Sequence, residues 1–221
     1  MYALKGVGQR EFYRWLEYNH KKDFPNLNER TRLFRLLNKY HYLVCDFLGQ
    51  KTVFGVCDSY GTELIHPIRE GRSDKQIGRK GKSNKRWIVG SKLAVSLNQY
   101  GLIVSWDLST ANVHDSEFHD LVERQNETLQ LVDSGFHARE GDPKNMKVCK
   151  RGERNERMLV ETVFSMMSRY FKMKHISCRV WEYLEARIGY IIGAFNIMVQ
   201  LFGLKPDENG FIPLHFPQFG L

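Results

Sequence analysis

The chain has 221 residues, of which 42% are hydrophobic and 13% aromatic, and this composition excludes an intrinsically disordered protein. Its formal net charge of +8 favours a polyanionic partner, with nucleic acid as the first candidate and an acidic membrane surface as the second. The four cysteines are scattered without a CxxC pair, which argues against a zinc site or a disulfide framework and indicates a reducing, intracellular compartment.

The N-terminal fifth of the chain is predicted to be helical and basic. One helix is predicted over residues 9–19 and a second over 26–48, where apolar residues recur at helical spacing. Asn26 and Glu29 have the spacing of a capping box at the start of the second helix. Residues 1–50 are therefore assigned to a short helical N-terminal segment.

From Lys51 the pattern changes to short apolar strands. Strands are predicted over 52–57, 63–68, 87–97, 102–108 and 128–133, a hairpin turn over 98–101, and helices over 115–124, 154–172 and 180–202. Asp115 is the predicted N-cap of the first of these helices. The order fits an α/β fold, a mixed sheet covered by helices. The apolar stretch 188–204 contains Asn196 and Gln200 and is shorter than the roughly 20 residues that a bilayer requires, so it predicts a buried helix and no membrane partner.

Two similar segments place an aspartate after an apolar strand. Asp58 and Asp133 are each followed by Ser and, within two or three positions, by Gly. Singly, each is compatible with a turn former that bonds its own backbone. Together they predict two carboxylates at the carboxyl ends of central strands, the edge of an open α/β sheet where ligands bind. Two hard oxygen ligands at such an edge suit Mg²⁺.

A third carboxylate, Glu161, lies in the run RMLVETVFSMM, residues 157–167. Burial of an unpaired carboxylate would cost several kcal/mol. At 100° per residue, however, the apolar side chains share one face of a helix and Glu161 lies on the opposite stripe. The other members of this stripe are Arg154, Arg157, Ser165, Ser168 and Lys172. The stripe is either a solvated face, in which an Arg157–Glu161 pair contributes about 0.2–0.5 kcal/mol, or it carries a third metal ligand. The two upstream aspartates favour the metal ligand.

Basic segments lie on both sides of these acids. Residues 69–87 contain many Lys and Arg side chains, and among them the predicted DNA contacts are Arg79, Lys80, Lys82, Lys85 and Arg86. A second set of predicted DNA contacts leads into the helix of Glu161 and comprises Lys150, Arg151, Arg154 and Arg157. The first segment is also compatible with a flexible, soluble hairpin. As DNA contacts, these cations would bind phosphates and release counterions.

Several motifs together resemble the DDE transposases of bacterial insertion sequences. They are the spaced Asp58, Asp133 and Glu161, with LVDSGF, RMLVETVFSM, ANVHD at 111–115 and KGKSNKRWIVGSK at 80–92. The resemblance covers residues 24–204. Many of these enzymes have a signature of Tyr, two residues, Arg, three residues, Glu, six residues and Lys. Arg157 and Glu161 match it, whereas Arg154 and Ser168 occupy the Tyr and Lys positions, and Lys172 is the candidate substitute for the Lys.

The resemblance implies an RNase H-like catalytic domain, assigned to residues 51–204, followed by a C-terminal tail over 205–221. It implies Mg²⁺-dependent strand cleavage and strand transfer on DNA, with two Mg²⁺ or Mn²⁺ ions held by Asp58, Asp133 and Glu161. The expected partners are element ends, target DNA and a second copy of the chain, in the bacterial cytoplasm at the nucleoid. Family members have a longer N-terminal DNA-binding region, so a truncated copy is one alternative.

Other interpretations stay open. A DNA-binding remnant without catalysis and an RNase H-fold nuclease would carry the same motifs. His114 and Asp115 compete for a metal role, and Asp107 is a weaker candidate.

Overall fold

A mixed sheet forms the middle layer of the computed structural model, which describes residues 1–83, 86–149 and 158–201. Its strands are β1 (Phe54–Ile65), β2 (Arg79–Ser83), β3 (Arg86–Asn98), β4 (Ile103–Thr110), β5 (Leu129–Val132) and β6 (Met146–Val148). The α-helices are α1 (Tyr2–Lys5), α2 (Gln9–Asn19), α3 (Arg30–Lys39), α4 (His119–Glu123), α5 (Met158–Tyr170) and α6 (Trp181–Leu201). The predicted α/β fold, a mixed sheet flanked by helices with a short helical N-terminal segment, is confirmed.

The strand order is β2-β3-β1-β5-β6, and β4 also pairs with β3. β1 pairs antiparallel with β3, and parallel with β5. β3 is long enough to serve two partners on its outer edge, β2 along its first part and β4 along the rest. β5 and β6 are parallel. β1 therefore lies in the interior of the sheet, between an antiparallel and a parallel neighbour.

Both faces of the sheet are covered, because consecutive residues of β3, whose side chains point to opposite faces, are apolar and buried. Leu93 and Val95 of β3 belong to the main core cluster with α5 and α6, whereas Ala94 packs in a second cluster with Leu121 and Val122 of α4. A third cluster joins α2 and α3. The N-terminal helices are attached to α6, where Arg187 Nη1 donates to the carbonyl of Val7 at 2.7 Å.

One strand, β1, takes the place of the two strands predicted over 52–57 and 63–68. It continues through the Asp58–Gly61 stretch, because β3 forms a ladder with it from Gly55, opposite Asn98, to Ile65, opposite Val89. The ladder hydrogen bonds outweigh the turn tendency of Asp, Ser and Gly. Asp58 is therefore inside a strand, and its prediction as a strand end was wrong.

Two helix starts also differ from the predictions. The helix predicted over 26–48 is α3 followed by a 3₁₀ helix over His41–Phe47, and Glu29 itself is the N-cap, because its carboxylate accepts from the backbone N–H of Thr31 at 2.9 Å. Asp115 begins a 3₁₀ helix, Asp115–Phe118, whose N-cap is His114. The predicted cap role of Asp115 was wrong, because its carboxylate bonds side chains elsewhere.

β2 and β6 were not predicted as strands: β2, RKGKS, has no apolar residues, and β6, MKV, is only three residues long, so each is defined by pairing with a neighbour. The hairpin over 98–101 is confirmed, with Gly101 at φ 76°. The prediction of a buried helix is also confirmed, since most of α6 is buried. None of the helices in the described ranges combines the length and apolar character that a bilayer crossing requires.

Candidate active site

A cavity of about 750 Å³ brings the three predicted acids together: Asp58, Asp133 and Glu161 all line its wall. They come from three separate elements, namely the middle of β1, the residue after β5 and the first turn of α5. The three acids that the sequence predicts to share a site therefore line one cavity.

The parallel pairing of β1 with β5 makes Asp58 and Asp133 neighbours. Val56 lies opposite Leu131, so two residues further along each strand the register reaches the two aspartates. Each carboxylate is oriented by the backbone: the N–H of Ser59 donates to Asp58 Oδ1 at 2.7 Å, and the N–H of Gly135 donates to Asp133 Oδ1 at 2.7 Å. Asp133 therefore occupies the predicted strand end, and Asp58 meets it from within a longer strand.

Glu161 lies on the exposed stripe of α5, as its helical position predicts. The side chains of Val160 and Val163 are fully buried, whereas Glu161 is exposed. Lys172 does not extend the stripe, because α5 ends at Tyr170 and Lys172 has a φ of 53°. Its proposed substitution for the signature Lys has no support in the helix geometry.

The stripe is held against β1 by one aromatic side chain. Tyr60 stacks on Phe164 with ring centroids 5.1 Å apart, and its hydroxyl accepts from Ser168 Oγ at 2.8 Å. Both Tyr60 and Ser168 line the cavity. The residue at the signature Lys position thus fixes the orientation of the helix that carries Glu161.

A fourth carboxylate, Asp115, also lines the cavity. Its Oδ1 accepts from Ser59 Oγ at 2.6 Å and from Lys92 Nζ at 3.0 Å. A Cβ added at Gly135 would lie 2.8 Å from Asp115 Oδ2 and 2.9 Å from Asp133 Oδ1, so both oxygens reach the same small space. Asp115 therefore connects β1, β3 and the turn after β5. The motif ANVHD was the only sequence signal for it, because its partners are 56 and 23 positions away.

The other two candidates for a metal role lie outside this cavity lining. His114 Nδ1 lies 2.9 Å from Ser116 Oγ, within its own turn. Asp107 pairs with Arg124 at 3.2 Å on an exposed surface.

Cys57 lies directly beside the acids on β1. Burial raises the pKa of its thiol well above the ordinary value, and the negative charges of Asp58 and Asp115 raise it further. The thiol therefore stays protonated at neutral pH, and the raised pKa disfavours the reactive thiolate.

The cations of the cavity lining are Lys82, Lys92, Arg169 and Lys174. Of the predicted DNA contacts, Lys82 lines the cavity, while Arg79 and Lys80 on β2 and Arg86 at the start of β3 are exposed. Lys80 pairs with Glu70 at 3.5 Å and Arg86 with Glu63 at 3.1 Å. The predicted contacts Lys85, Lys150, Arg151, Arg154 and Arg157 lie outside the described residues. Arg169 and Lys174 were not predicted, because no charge cluster in the sequence marks them.

The donor set of the cavity suits a hard cation, because all of its acidic ligands are carboxylate oxygens. Within residues 1–83, 86–149 and 158–201, no three His, Cys, Asp or Glu side chains are close enough together to form a ready metal cage. The fit to Mg²⁺ therefore rests on the chemistry of Asp58, Asp133 and Glu161 and on their shared cavity. Mg²⁺ itself needs only one or two protein carboxylates, with water and phosphate oxygens completing its shell.

A comparison with known protein families, with characterised proteins and with solved structures finds no match to this chain. Its function is therefore inferred from the chemistry of the cavity and from the motifs in its own sequence.

Proposed function

We propose that this protein is a DDE transposase that cleaves and joins DNA strands. The observation that carries the proposal is the single cavity in which Asp58, Asp133 and Glu161, from three separate elements, share a lining with basic side chains. The mixed sheet, in which Asp58 lies on β1 and Asp133 directly follows the parallel neighbour β5, supports an RNase H-like domain. Metal-assisted phosphodiester chemistry uses carboxylates that hold the cations and basic side chains that bind the phosphates, and this lining contains both types of group.

The three acids would hold two Mg²⁺ ions, which supply a metal-activated water or 3′-hydroxyl for attack and stabilise the leaving oxygen. The chain contributes the orientation of these acids. Backbone N–H groups fix one oxygen each of Asp58 and Asp133, and the stacking of Tyr60 on Phe164 fixes α5 and thus Glu161. No covalent intermediate on the protein is required.

The basic residues of the lining bind the substrate. Lys82, Arg169 and Lys174 surround the acids and have the charge to contact the phosphates on either side of the scissile bond. Lys92 has a different role, because its ammonium is bonded to Asp115 and to the carbonyl of Val113 at 2.6 Å. It balances the acidic charge inside the site.

The test uses DNA from both sides of the coding sequence, since a transposase gene lies between the ends of its element. Labelled duplexes of this DNA are incubated with the protein, Mg²⁺ or Mn²⁺, and a supercoiled plasmid. Cleavage followed by joining of the label to the plasmid is the expected result. Cleavage without joining would instead indicate a nuclease, and binding without cleavage a DNA-binding remnant.

The substitutions Asp58→Asn, Asp133→Asn and Glu161→Gln should each abolish cleavage, because each removes one anionic ligand while keeping the side-chain shape. Asp120→Asn and Glu123→Gln are the matched controls, since both are exposed carboxylates of α4 that do not line the cavity. The controls should cleave at the wild-type rate. A site variant that still cleaves would show that its residue is not one of the ligands.

A further inference from the structure

A second cavity, of about 490 Å³, lies beyond the first along β1. One wall is the end of β1 with His66 and Arg69, and the other is the segment from His175 to Arg179. An adjoining cavity of about 220 Å³ shares Arg69 and Arg179 with it and adds Arg72 and Lys75. We call this combined surface the cationic groove and define it by Arg69, Arg72, Lys75 and Arg179.

The groove carries four cations that no carboxylate of the described residues neutralises. Within the described part of the chain, none of its four defining cations forms an ion pair with a carboxylate, and all four are exposed. Its one carboxylate, Glu63, is already paired with Arg86 at 3.1 Å and lies 3.7 Å from His175 Nδ1. His66 accepts from the N–H of Ile68 through Nδ1 at 3.3 Å, which is a local contact. Four cations without a carboxylate partner among the residues that the structure describes, around an acid that is already paired, suit a polyanion.

The groove adjoins the cavity of the three acids through the backbone of residues 174–176. Glu63 N–H donates to the carbonyl of Lys174 at 3.1 Å, and Ile176 N–H donates to the carbonyl of Glu63 at 3.1 Å. These two bonds attach residues 174–176 to the end of β1 as a short parallel bridge. Lys174 faces the first cavity and His175 the second, so a single rigid backbone forms part of the wall of both.

We infer that the cationic groove binds the sugar-phosphate backbone of the same DNA molecule whose scissile bond lies at Asp58, Asp133 and Glu161. The inference rests on the proposed function. A β-strand rises about 3.3 Å per residue, so the part of β1 from Asp58 to Ile65 spans roughly 23 Å. Phosphates of one duplex strand advance about 3.4 Å each along the axis, which places the groove about seven nucleotides from the scissile bond. Charge complementarity and this reach favour DNA over a small anion.

The test measures how DNA affinity depends on salt. The dissociation constant of a labelled duplex, long enough to span both cavities, is determined by fluorescence anisotropy over a series of KCl concentrations. The logarithm of the dissociation constant rises linearly with the logarithm of the salt concentration, and each lost phosphate contact reduces this slope by about 0.9. Arg69→Gln with Arg179→Gln should therefore lower the slope by about 1.8, and Arg69→Lys with Arg179→Lys should restore it.

The matched control is Lys51→Gln with Arg124→Gln, which removes the same charge near the opposite end of β1, where Lys51 Nζ donates to the carbonyl of Arg124 at 3.0 Å. The control should keep the wild-type slope. The inference would be overturned if the groove variant kept the wild-type slope, or if the control variant lost as much of the slope as the groove variant. If the wild type cleaves DNA and the groove variant keeps its slope, only the groove assignment fails. If the wild type does not bind DNA, the proposed function fails with it.

Discussion

At the scale of single residues, Asp115 determines how the acids of the cavity are arranged. It accepts from Ser59, the residue after Asp58, and its second oxygen reaches the space beside Gly135, whose N–H orients Asp133. One carboxylate therefore influences both aspartates without being one of the three proposed ligands. Lys92 compensates the charge of Asp115. The side chain of Asp115 is only 24% exposed and that of Lys92 only 12%.

Asp115→Ala should lower the free energy of unfolding by about 1–3 kcal/mol, because it leaves the largely buried Lys92 ammonium without its anion. Lys92→Met removes that unpaired charge. The double variant should therefore be more stable than the sum of the two single losses predicts, by about 0.5–3 kcal/mol. Urea unfolding of the four proteins measures this coupling. Additive losses would show that the ion pair contributes nothing to stability.

At the scale of elements, the predictability of the site depends on whether a pattern is local. The polar stripe of α5 follows from helical periodicity alone, so the exposure of Glu161 could be predicted from the sequence. The continuity of β1 could not be predicted, because it depends on pairing with β3 and the local sequence of residues 58–62 does not indicate that pairing. For the same reason the sequence predicts Asp115 as a helix N-cap, although its hydrogen-bond partners come from β1 and β3.

Two polar residues, Asn196 and Gln200, interrupt the apolar sequence of α6, and they differ in burial. Asn196 is fully buried, accepts from the N–H of Ile103 at 2.9 Å and donates to the carbonyl of Phe47 at 2.9 Å. Gln200 is exposed. Asn196 thus attaches the helix to the start of β4 and to the 3₁₀ helix before β1.

Asn196→Leu should lower the free energy of unfolding by about 1–3 kcal/mol, because the buried N–H of Ile103 loses its acceptor. Gln200→Leu is the matched control and should change stability by less than about 0.5 kcal/mol. Chemical denaturation of both variants measures the difference. Equal effects would mean that the hydrogen bonds of Asn196 add nothing beyond the burial of an apolar side chain.

At the scale of the whole molecule, the site is a product of topology. The parallel pairing of β1 with β5 aligns Asp58 with Asp133, and the packing of α5 on the same face adds Glu161. The residue types and the expectation that the three acids share a site follow from the sequence, whereas strand order and register exist only in the folded chain. The chain as a whole carries a net charge of +8, whereas this cavity gathers carboxylates from three elements. The proposed function uses both features, the overall charge to attract a polyanion and the carboxylates to hold cations.

Divalent cations should therefore raise the midpoint of thermal unfolding by binding to the native cavity. At a concentration 100 times the dissociation constant, the gain in stability is about 2.7 kcal/mol. KCl at matched ionic strength controls for the screening that any salt gives a chain of this charge. Asp58→Asn with Asp133→Asn should lose the response to Mg²⁺ and Mn²⁺, while Asp120→Asn with Glu123→Gln, which makes the same change in charge, should retain it. Equal stabilisation of both double variants would place the bound cation outside the cavity and remove the metal from the proposed mechanism.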